Sequence, residues 1–372
     1  MWHAVRRGLA PLGALVLGTL AACQAPAAPP AASPPPADQA AGVSAAQAAS
    51  VPPPPLQPLK IGDARVFTGV PIYVAVEKGY FQEQGIDLQF EPITGADSAA
   101  YLSTGQLDLA LDAITAGFFN AIERGADMRI IAPAGILTLE DSPLPLVVRA
   151  ELVHSGAVQG PADLKGRRVA VLAPGATPEY LLAKVFEPLG MTIHDVERVA
   201  MPFPDMPAAL ANGSIDAAVP AEPFATRAVS QGSAVKLVAA IAPGRMTTVI
   251  SASGQTLRER PDLLRGWAVA YLRGIRDLQP PQLGVWDPER LYRPEHLAIF
   301  TKYLHVPEQV LRDQVPYTWD PDLVIQGDAI MDIQRTHMRN GTLTLAQPVP
   351  LERMVDNDPS DYARAQLGRV RS

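Results

Sequence analysis

The chain has 372 residues, with 31 lysines and arginines against 38 aspartates and glutamates, so its net charge is −7 at neutral pH. An acidic chain without basic clusters argues against nucleic acids and anionic lipid surfaces as partners. Its single cysteine, Cys23, excludes a disulfide framework, cysteine-based zinc sites and a cysteine nucleophile in the rest of the chain.

The first residues have the pattern of a bacterial secretory signal. Arg6 and Arg7 precede the apolar run LAPLGALVLGTL, which is shorter than the about 20 apolar residues that a membrane span needs. Small residues directly before Cys23 resemble a lipobox. We therefore predict a signal peptide over 1–22 and lipidation of Cys23. An ordinary signal peptide with an incidental cysteine is the alternative.

Residues 23–58 are rich in proline and alanine and offer little that a core could bury. Such a segment favours extended polyproline II structure. We predict a spacer that holds the folded part away from a membrane to which Cys23 anchors it. The predicted location is the extracytoplasmic face of the cytoplasmic membrane, in a periplasm or at the cell surface.

From Leu59 onward, strands and helices alternate. The pattern predicts strands at 59–66, 86–93, 107–112 and 128–135, separated by helices at 70–81, 96–104 and 115–125. This rhythm is typical of an open α/β sheet.

A second α/β unit follows, and then a helical region. The predicted strands are 167–173, 193–201, 214–220 and 236–242, with helices at 179–190, 205–213 and 222–232. Residues 243–254 predict a crossover strand back to the first unit. Helices are predicted within 257–279, 294–305, 307–315 and 322–341.

Two segments of the chain are nearly the same. STGQLDLAL (103–111) and ANGSIDAAV (211–219) align Gly105 with Gly213 and Asp108 with Asp216. The glycines suit left-handed helix ends. For the aspartates we favour a structural hydrogen bond at a helix-to-strand turn over a ligand contact. The repetition predicts two lobes with a cleft between them, lobe 1 from 59–144 and 246–372 and lobe 2 from 145–245.

Several motifs together carry a family resemblance. GVPIYVAVEKGYFQEQGIDLQF, STGQLDLAL, DLKGRRVAV and SIDAAVPAEPF resemble the binding proteins of nitrate, sulfonate, taurine and thiamine-precursor ABC transporters over roughly 59–245. The resemblance implies an α/β, two-lobe type II periplasmic binding protein with mixed sheets and flanking helices. It also implies that the protein closes on a small ligand and delivers it to an ABC permease. We expect a monomer.

Ligands of open α/β sheets bind beyond the carboxyl ends of strands, at helix N-termini. Thr177 could instead be a helix N-cap, the aromatic residues could serve packing, and Glu222 could simply favour its helix dipole. The predicted ligand-binding residues are Phe67, Thr68, Thr94, Asp97, Asp112, Thr115, Asp141, Thr177, Tyr180, Phe203 and Glu222.

The charges of these loops bear on the ligand. The loops contain no lysine or arginine but hold six acids, Asp97, Asp112, Glu140, Asp141, Asp205 and Glu222. Like charges about 4 Å apart repel by about 1 kcal/mol even in water. The sequence therefore favours a neutral or amino-bearing heteroaromatic ligand, such as a thiamine-precursor pyrimidine. Binding of an anion of the sulfonate, taurine or nitrate type is the alternative.

Enzymes are the main rival class, because a fold alone does not fix function. The chain lacks the G-x-S-x-G, H-E-x-x-H and G-x-x-x-x-G-K-[ST] motifs, and its histidines after Leu59 (154, 194, 296, 305 and 337) are scattered. We predict no catalytic residue, metal site or cofactor. A biosynthetic enzyme and a sensory lipoprotein on this fold are the alternatives of other classes.

Overall fold

The computed structural model describes residues 55–93 and 98–370. The predicted signal peptide, the lipidation site Cys23 and nearly all of the spacer lie outside the described residues. So do two predicted ligand residues, Thr94 and Asp97.

Ten strands in the described residues form two five-stranded mixed sheets. The first sheet has the order β2-β1-β3-β10-β4 and the second the order β7-β6-β8-β5-β9. The strands are β1 Gln57–Asp63, β2 Ile86–Pro92, β3 Leu109–Ala113, β4 Met128–Pro133, β5 Leu146–Arg149, β6 Arg168–Val171, β7 Glu197–Ala200, β8 Ala217–Ala218, β9 Ala234–Val238 and β10 Thr248–Ser253.

Helices cover the sheets and follow them in the chain. They are α1 Val70–Glu77, α2 Tyr80–Glu83, α3 Ser98–Ser103, α4 Ala116–Glu123, α5 Ala150–His154, α6 Thr177–Phe186, α7 Met206–Ala211, α8 Phe224–Ser230, α9 Gly254–Glu259, α10 Pro261–Leu278, α11 Pro288–Leu291, α12 Pro294–Leu304, α13 Glu308–Asp313, α14 Gly327–Arg339, α15 Leu351–Met354 and α16 Asp358–Leu367. Short 3-10 helices lie at Phe67–Gly69, Pro161–Leu164, Glu187–Leu189, Ile193–Asp195 and Phe203–Asp205. In the described residues no helix is both long and apolar enough to cross a bilayer.

The two sheets are built in the same way. In each, one strand pairs in parallel with two neighbours: β1 with β2 and β3, and β6 with β7 and β8. In each, the fourth strand is antiparallel and brings the chain in from the other sheet: β10 in the first and β5 in the second. The predicted mixed α/β architecture and the crossover strand within 243–254 are therefore confirmed.

The repeated aspartates have equivalent structural roles. The Lys60 backbone N–H donates to Asp108 Oδ2 at 2.8 Å, and the Arg168 N–H donates to Asp216 Oδ2 at 3.0 Å. Each aspartate directly precedes the strand β3 or β8, at the edge of the sheet opposite the carboxyl ends of the parallel strands. The structural interpretation is confirmed, and Gly105 and Gly213 adopt the expected positive φ, 70° and 75°.

Some predicted strands are shorter in the structure. β1 ends at Asp63, because Arg65 turns into a positive φ of 53° and its N–H donates to Asp63 Oδ1 at 2.8 Å. The segment predicted as a strand at 193–201 begins with a 3-10 turn, in which Thr192 accepts from the His194 N–H. β5 was not predicted, because its apolar run is short and follows a proline-rich loop.

Apolar packing joins the two sheets. One cluster contains Ala110 and Ile130 of the first sheet together with Val169 of the second, and α14 adds Ile330. The opposite face of the first sheet packs on α1 and α10, and that of the second sheet on α7. Each sheet is therefore covered on both faces.

Candidate functional site

The loops after β3 and β6 meet at the carboxyl ends of their strands. The Ala116 N–H, at the start of α4, donates to the Gly175 carbonyl before α6 at 2.9 Å. Since β3 belongs to the first sheet and β6 to the second, this bond connects the two sheets across their facing loops. The structure thereby brings predicted residues Thr115 and Thr177 into neighbouring loops.

Thr115 and Thr177 take different positions at their helices. Thr115 is the N-cap of α4, and its side chain accepts from the Phe118 N–H at 3.2 Å. Ala176 is the N-cap of α6, so Thr177 is the first helical residue and not the cap. The half-buried Thr177 hydroxyl is thus not used in capping α6.

Phe67 and Thr68 form the 3-10 turn after β1. The Phe67 ring lies 5.8 Å from the ring of Phe300 and 6.0 Å from that of Trp319. Thr68 is buried, and its carbonyl accepts from Trp319 Nε1 at 3.0 Å. Both residues are held by contacts with the region that follows the second sheet in the chain: Phe300 lies in α12 and Trp319 in the segment between α13 and α14.

Gly135 and Tyr317 adjoin this turn, and sequence reasoning missed them. A Cβ on Gly135 would lie 2.7 Å from the Thr68 methyl group and 3.0 Å from the Tyr317 ring. This close approach requires glycine at the second position after β4. The predicted strand at 128–135 reached Gly135, but nothing in the local sequence indicates Tyr317 as its neighbour.

Asp63 is a further residue near this turn that the sequence did not indicate. Its Oδ1 accepts from the Tyr73 hydroxyl at 2.7 Å and from the Arg65 N–H at 2.8 Å, so it fixes the loop that leaves β1. Burial, followed by the nearby Asp63 carboxylate, raises the pKa of Tyr73 above its ordinary value. The phenol therefore stays protonated and remains a donor to Asp63.

Asp112 lies in β3 and is buried. Its Oδ2 has no hydrogen-bond partner in 55–93 and 98–370. Burial raises the pKa of Asp112, while the hydroxyls of Ser98 and Ser251 oppose the rise. A buried carboxyl with one unused oxygen is a ready partner for a donor or a cation.

Among the other acids in the described residues, Asp141 is compensated by a lysine. Asp141 Oδ2 forms an ion pair with Lys236 Nζ at 2.6 Å, and its Oδ1 accepts from the Ser142 N–H at 2.8 Å. Lys236 lies on β9, and therefore outside the loops in which the sequence shows acids but no lysine or arginine. Glu140 and Asp205 are exposed. The uncompensated negative charge around a ligand is therefore smaller than the sequence suggests, because Asp141 is paired and Glu140 and Asp205 are exposed, while Asp97 lies outside the described residues.

Glu222 caps α8. Its Oε2 accepts from the Thr226 N–H and its Oε1 from the Thr226 hydroxyl, each at 2.9 Å. Burial raises the pKa of Glu222, while the bonds from Thr226 and the charge of Lys236 oppose the rise. Both carboxylate oxygens are used within the helix, which matches the helix-end role considered for this residue.

The two predicted aromatic residues beside the second sheet both have contacts within the fold. Tyr180 is fully buried, and its hydroxyl donates to Asp332 Oδ2 of α14 at 2.8 Å. Burial, then the charge of Asp332, raises the pKa of Tyr180. Phe203 is half-buried against the apolar clusters on both faces of the second sheet.

Two cavities lie mostly outside the loops that hold the predicted ligand-binding residues. One, of about 270 Å³, is confined to the second sheet and lined by Val171, Pro174, Glu179, His194, Val196, Arg198 and Ala200. The other, of about 300 Å³, is at the amino-terminal edge of the first sheet, near Lys60, Asp108 and Arg260. In the part of the chain that the structure describes, no group of three or more histidine, cysteine, aspartate or glutamate residues is placed to hold a metal ion.

The sequence model of the NMT1/THI5-like family matches residues 67–282. The chain belongs to the NMT1/THI5-like family. Of the strands in the described residues, the match covers all except β1, together with the crossovers between the two sheets. No curated protein matches the chain.

Solved structures show the fold of this family member. The ligand-binding component of an ABC-type import system from Staphylococcus aureus is 15% identical and superimposes with a TM-score of 0.64, covering 82% of this chain and 99% of that one. The periplasmic aliphatic sulphonate-binding protein SsuA of Escherichia coli is 17% identical, with a TM-score of 0.62 and coverage of 81% and 92%. The nitrate-binding protein NrtA of Synechocystis PCC 6803 is 14% identical, with a TM-score of 0.63 and coverage of 84% and 89%.

Proposed function

We propose that this protein is the solute-binding component of an ABC importer. The observation that carries the proposal is the bond between Ala116 and Gly175, where loops of two similarly ordered sheets meet. Family membership and the fold shared with binding proteins of import systems support it. The lobes would be 59–144 with 246–372, and 145–245, in a monomer that delivers its ligand to a permease.

The proposed mechanism is closure of the two lobes on the ligand. A ligand that contacts both lobes binds the closed state better than the open state and so shifts the population towards closure. Closure also completes the surface that a permease would recognise. No residue is assigned a catalytic role in this mechanism.

The proposed ligand is a neutral or amino-bearing heteroaromatic, such as a thiamine-precursor pyrimidine. Asp112 supports this choice, because its buried Oδ2 has no partner among the described residues and an amino group would supply one. Phe67 follows β1 of the first sheet and Phe203 follows β7 of the second, and both are half-buried aromatic residues that could stack on a flat ring.

An anion is the second candidate ligand. Helices α4 and α6 both begin at the loops that meet through Ala116 and Gly175, and helix N-termini favour negative charge. The sulphonate-binding and nitrate-binding structures share the fold. The pairing of Asp141 with Lys236 also removes one of the charges that would oppose an anion.

A thermal-shift panel tests the function and separates the two ligands. It contains aminopyrimidines, thiamine, riboflavin, taurine, alkanesulfonates, nitrate and aromatic acids. A ligand at 100 times its dissociation constant stabilises the protein by about 2.7 kcal/mol, which raises the melting temperature by several degrees. A shift with an amine or heterocycle supports the first ligand and a shift with a sulfonate or nitrate the second. If the melting temperature does not change with any of these compounds, both ligand proposals are contradicted.

The proposed location is the extracytoplasmic face of the cytoplasmic membrane, with a lipid anchor at Cys23. The lipobox-like residues before Cys23 and the following spacer support it. Acyl chains contribute about 0.8 kcal/mol per buried CH₂, so two or three chains would anchor the protein firmly.

A further inference from the structure

The turn before α6 is shaped for a close contact with α4. Gly175 has φ of +74°, in the left-handed region that favours glycine. A Cβ at this position would lie 2.7 Å from Ala116 Cβ. The conformation of this turn therefore decides whether the Gly175 carbonyl can accept from the Ala116 N–H across the two sheets.

Glu179 lies at the start of α6 and fixes the preceding turn that contains Gly175. Its Oε1 accepts from the Gly175 N–H at 3.0 Å, and its Oε2 accepts from Arg198 of β7 at 2.6 Å. The Glu179 side chain is fully buried, whereas that of Arg198 is 27% exposed. A buried carboxylate is costly unless it is paired and hydrogen-bonded, and here both oxygens are used.

We propose that Glu179 is a positioning residue for lobe closure. By fixing the Gly175 N–H, it directs the carbonyl of the same residue towards Ala116 and stabilises the bond between the lobes. This inference rests on the proposed function, in which the lobes close on a ligand. A residue that stabilises the closed state raises the apparent ligand affinity, because binding then requires a smaller population shift.

A purely structural role makes a different prediction. If Glu179 only compensates the charge of Arg198, its replacement lowers the stability of the whole fold. The Ala116 amide would then exchange faster only together with the core amides of β3 and β6. Exchange at Ala116 alone would report opening of the contact between the lobes.

Amide hydrogen exchange at Ala116 in the full chain tests the proposal without any ligand. Glu179→Asp keeps the charge opposite Arg198 but withdraws the carboxylate from Gly175. We expect it to accelerate exchange at Ala116 by about tenfold or more, as expected for a lost hydrogen bond to a charged group. Glu179→Gln keeps the length and the acceptor for Gly175, so exchange at Ala116 should stay close to that of the unmodified protein.

Glu187→Gln is the matched control. Glu187 follows the other end of α6, where it pairs with Lys184 and with Arg339 at 3.2 Å, and it does not touch the turn. It should leave exchange at Ala116 unchanged. Unchanged exchange in Glu179→Asp would overturn the proposal. If that variant does not fold, fast exchange in Glu179→Gln would overturn it.

The two proposals fail in different experiments. The thermal-shift panel tests whether the protein binds a solute and does not depend on Glu179. The exchange measurement tests how Glu179 acts on the contact and does not depend on the ligand. A panel without any shift, together with selective exchange at Ala116, would refute the solute-binding function and leave the role of Glu179 in the contact standing.

Discussion

Acidic side chains near the strand ends differ in how the fold compensates them. Asp141 has an ion pair with Lys236, and both carboxylate oxygens of Glu222 accept from Thr226 of α8. Asp112 is buried, and its Oδ2 has no hydrogen-bond partner among the residues that the structure describes. The preference for an amino-bearing ligand therefore depends on Asp112 and not on the summed charge of the loops.

Replacing Asp112 with asparagine should stabilise the unliganded protein at neutral pH. An ionised carboxylate with an unused oxygen is costly when buried, and the raised pKa of Asp112 means that folding favours its protonated form. The stabilisation should be about 1–3 kcal/mol and should shrink as the pH falls towards the ordinary pKa of an aspartate. Urea unfolding at several pH values measures it.

Asp205→Asn is the control, because Asp205 is exposed. It should change the free energy of unfolding little at any pH. An Asp112→Asn variant that is less stable than the unmodified protein at neutral pH would contradict the prediction. Weaker binding of an aminopyrimidine by a variant that is more stable would place Asp112 at the ligand.

His337 should make the fold less stable in mild acid. It is fully buried in α14, and burial lowers its pKa to about 4, against the opposing charge of Glu179. Below about pH 6.5 the His337 imidazole is protonated in the unfolded chain but stays neutral in the folded protein. The free energy of unfolding therefore decreases as the pH falls from about 6.5 towards about 4. The full loss would be about 3 kcal/mol.

Urea unfolding of His337→Gln at about pH 7 and about pH 5 checks this linkage. The variant should lose less stability between the two pH values than the unmodified protein does. His154→Gln, at an exposed histidine, should behave like the unmodified protein. Equal pH dependence in all three proteins would show that His337 is not responsible.

Helices α4 and α6 begin in facing loops but are started by different means. α4 has the side-chain cap of Thr115, whereas α6 has Ala176 at the cap position and a proline, Pro178, in its first turn. The bond from Ala116 to Gly175 connects these two helix starts. The residue that caps α4, Thr115, therefore directly precedes the residue that bonds to the other sheet, Ala116.

Thr115→Ala should destabilise the protein by about 1 kcal/mol, the usual cost of losing an N-cap. The Phe118 N–H loses its acceptor, and the start of α4 next to Gly175 loosens. Chemical denaturation measures the change. Thr115→Ser keeps the hydroxyl and should retain most of the stability; an equal loss in both variants would mean that capping is not the cause.

The folded part as a whole is two similar sheets joined by their own crossover strands and by α14. Tyr180 and Lys184 of α6 both reach Asp332 of α14, and Arg339 at its other end pairs with Glu187. These contacts lie beside the apolar cluster that both sheets share. The C-terminal helices therefore add to the connection between the sheets.

The predicted anchor concerns the molecule as a whole. In cells, Cys23→Ser should move the protein from the membrane fraction to the soluble fraction, because the lipid chains cannot be attached. Immunoblots of separated fractions measure this. Arg7→Lys, which keeps the charge before the apolar run, should leave the protein in the membrane fraction. A Cys23→Ser protein that remains with the membrane would contradict the anchor.

The sequence by itself determined those features of the fold that depend only on residues close together in the chain. The alternation of strands and helices, the glycines at left-handed helix ends and the repeated aspartates Asp108 and Asp216 were all predicted, because they depend on hydrophobic periodicity and local turn chemistry. The repetition also indicated two similar sheets. Whether the predicted ligand-binding residues contact a ligand stays a prediction.

Only the tertiary structure decided which distant groups meet. Lys236 lies 95 residues from Asp141, and Tyr180 lies 152 residues from Asp332. The strand β5 and the contact of Gly175 with Ala116 likewise depend on how the whole chain folds back. Local patterns carry no information about such partners, because the charge and burial of a side chain are set by whatever the fold packs against it.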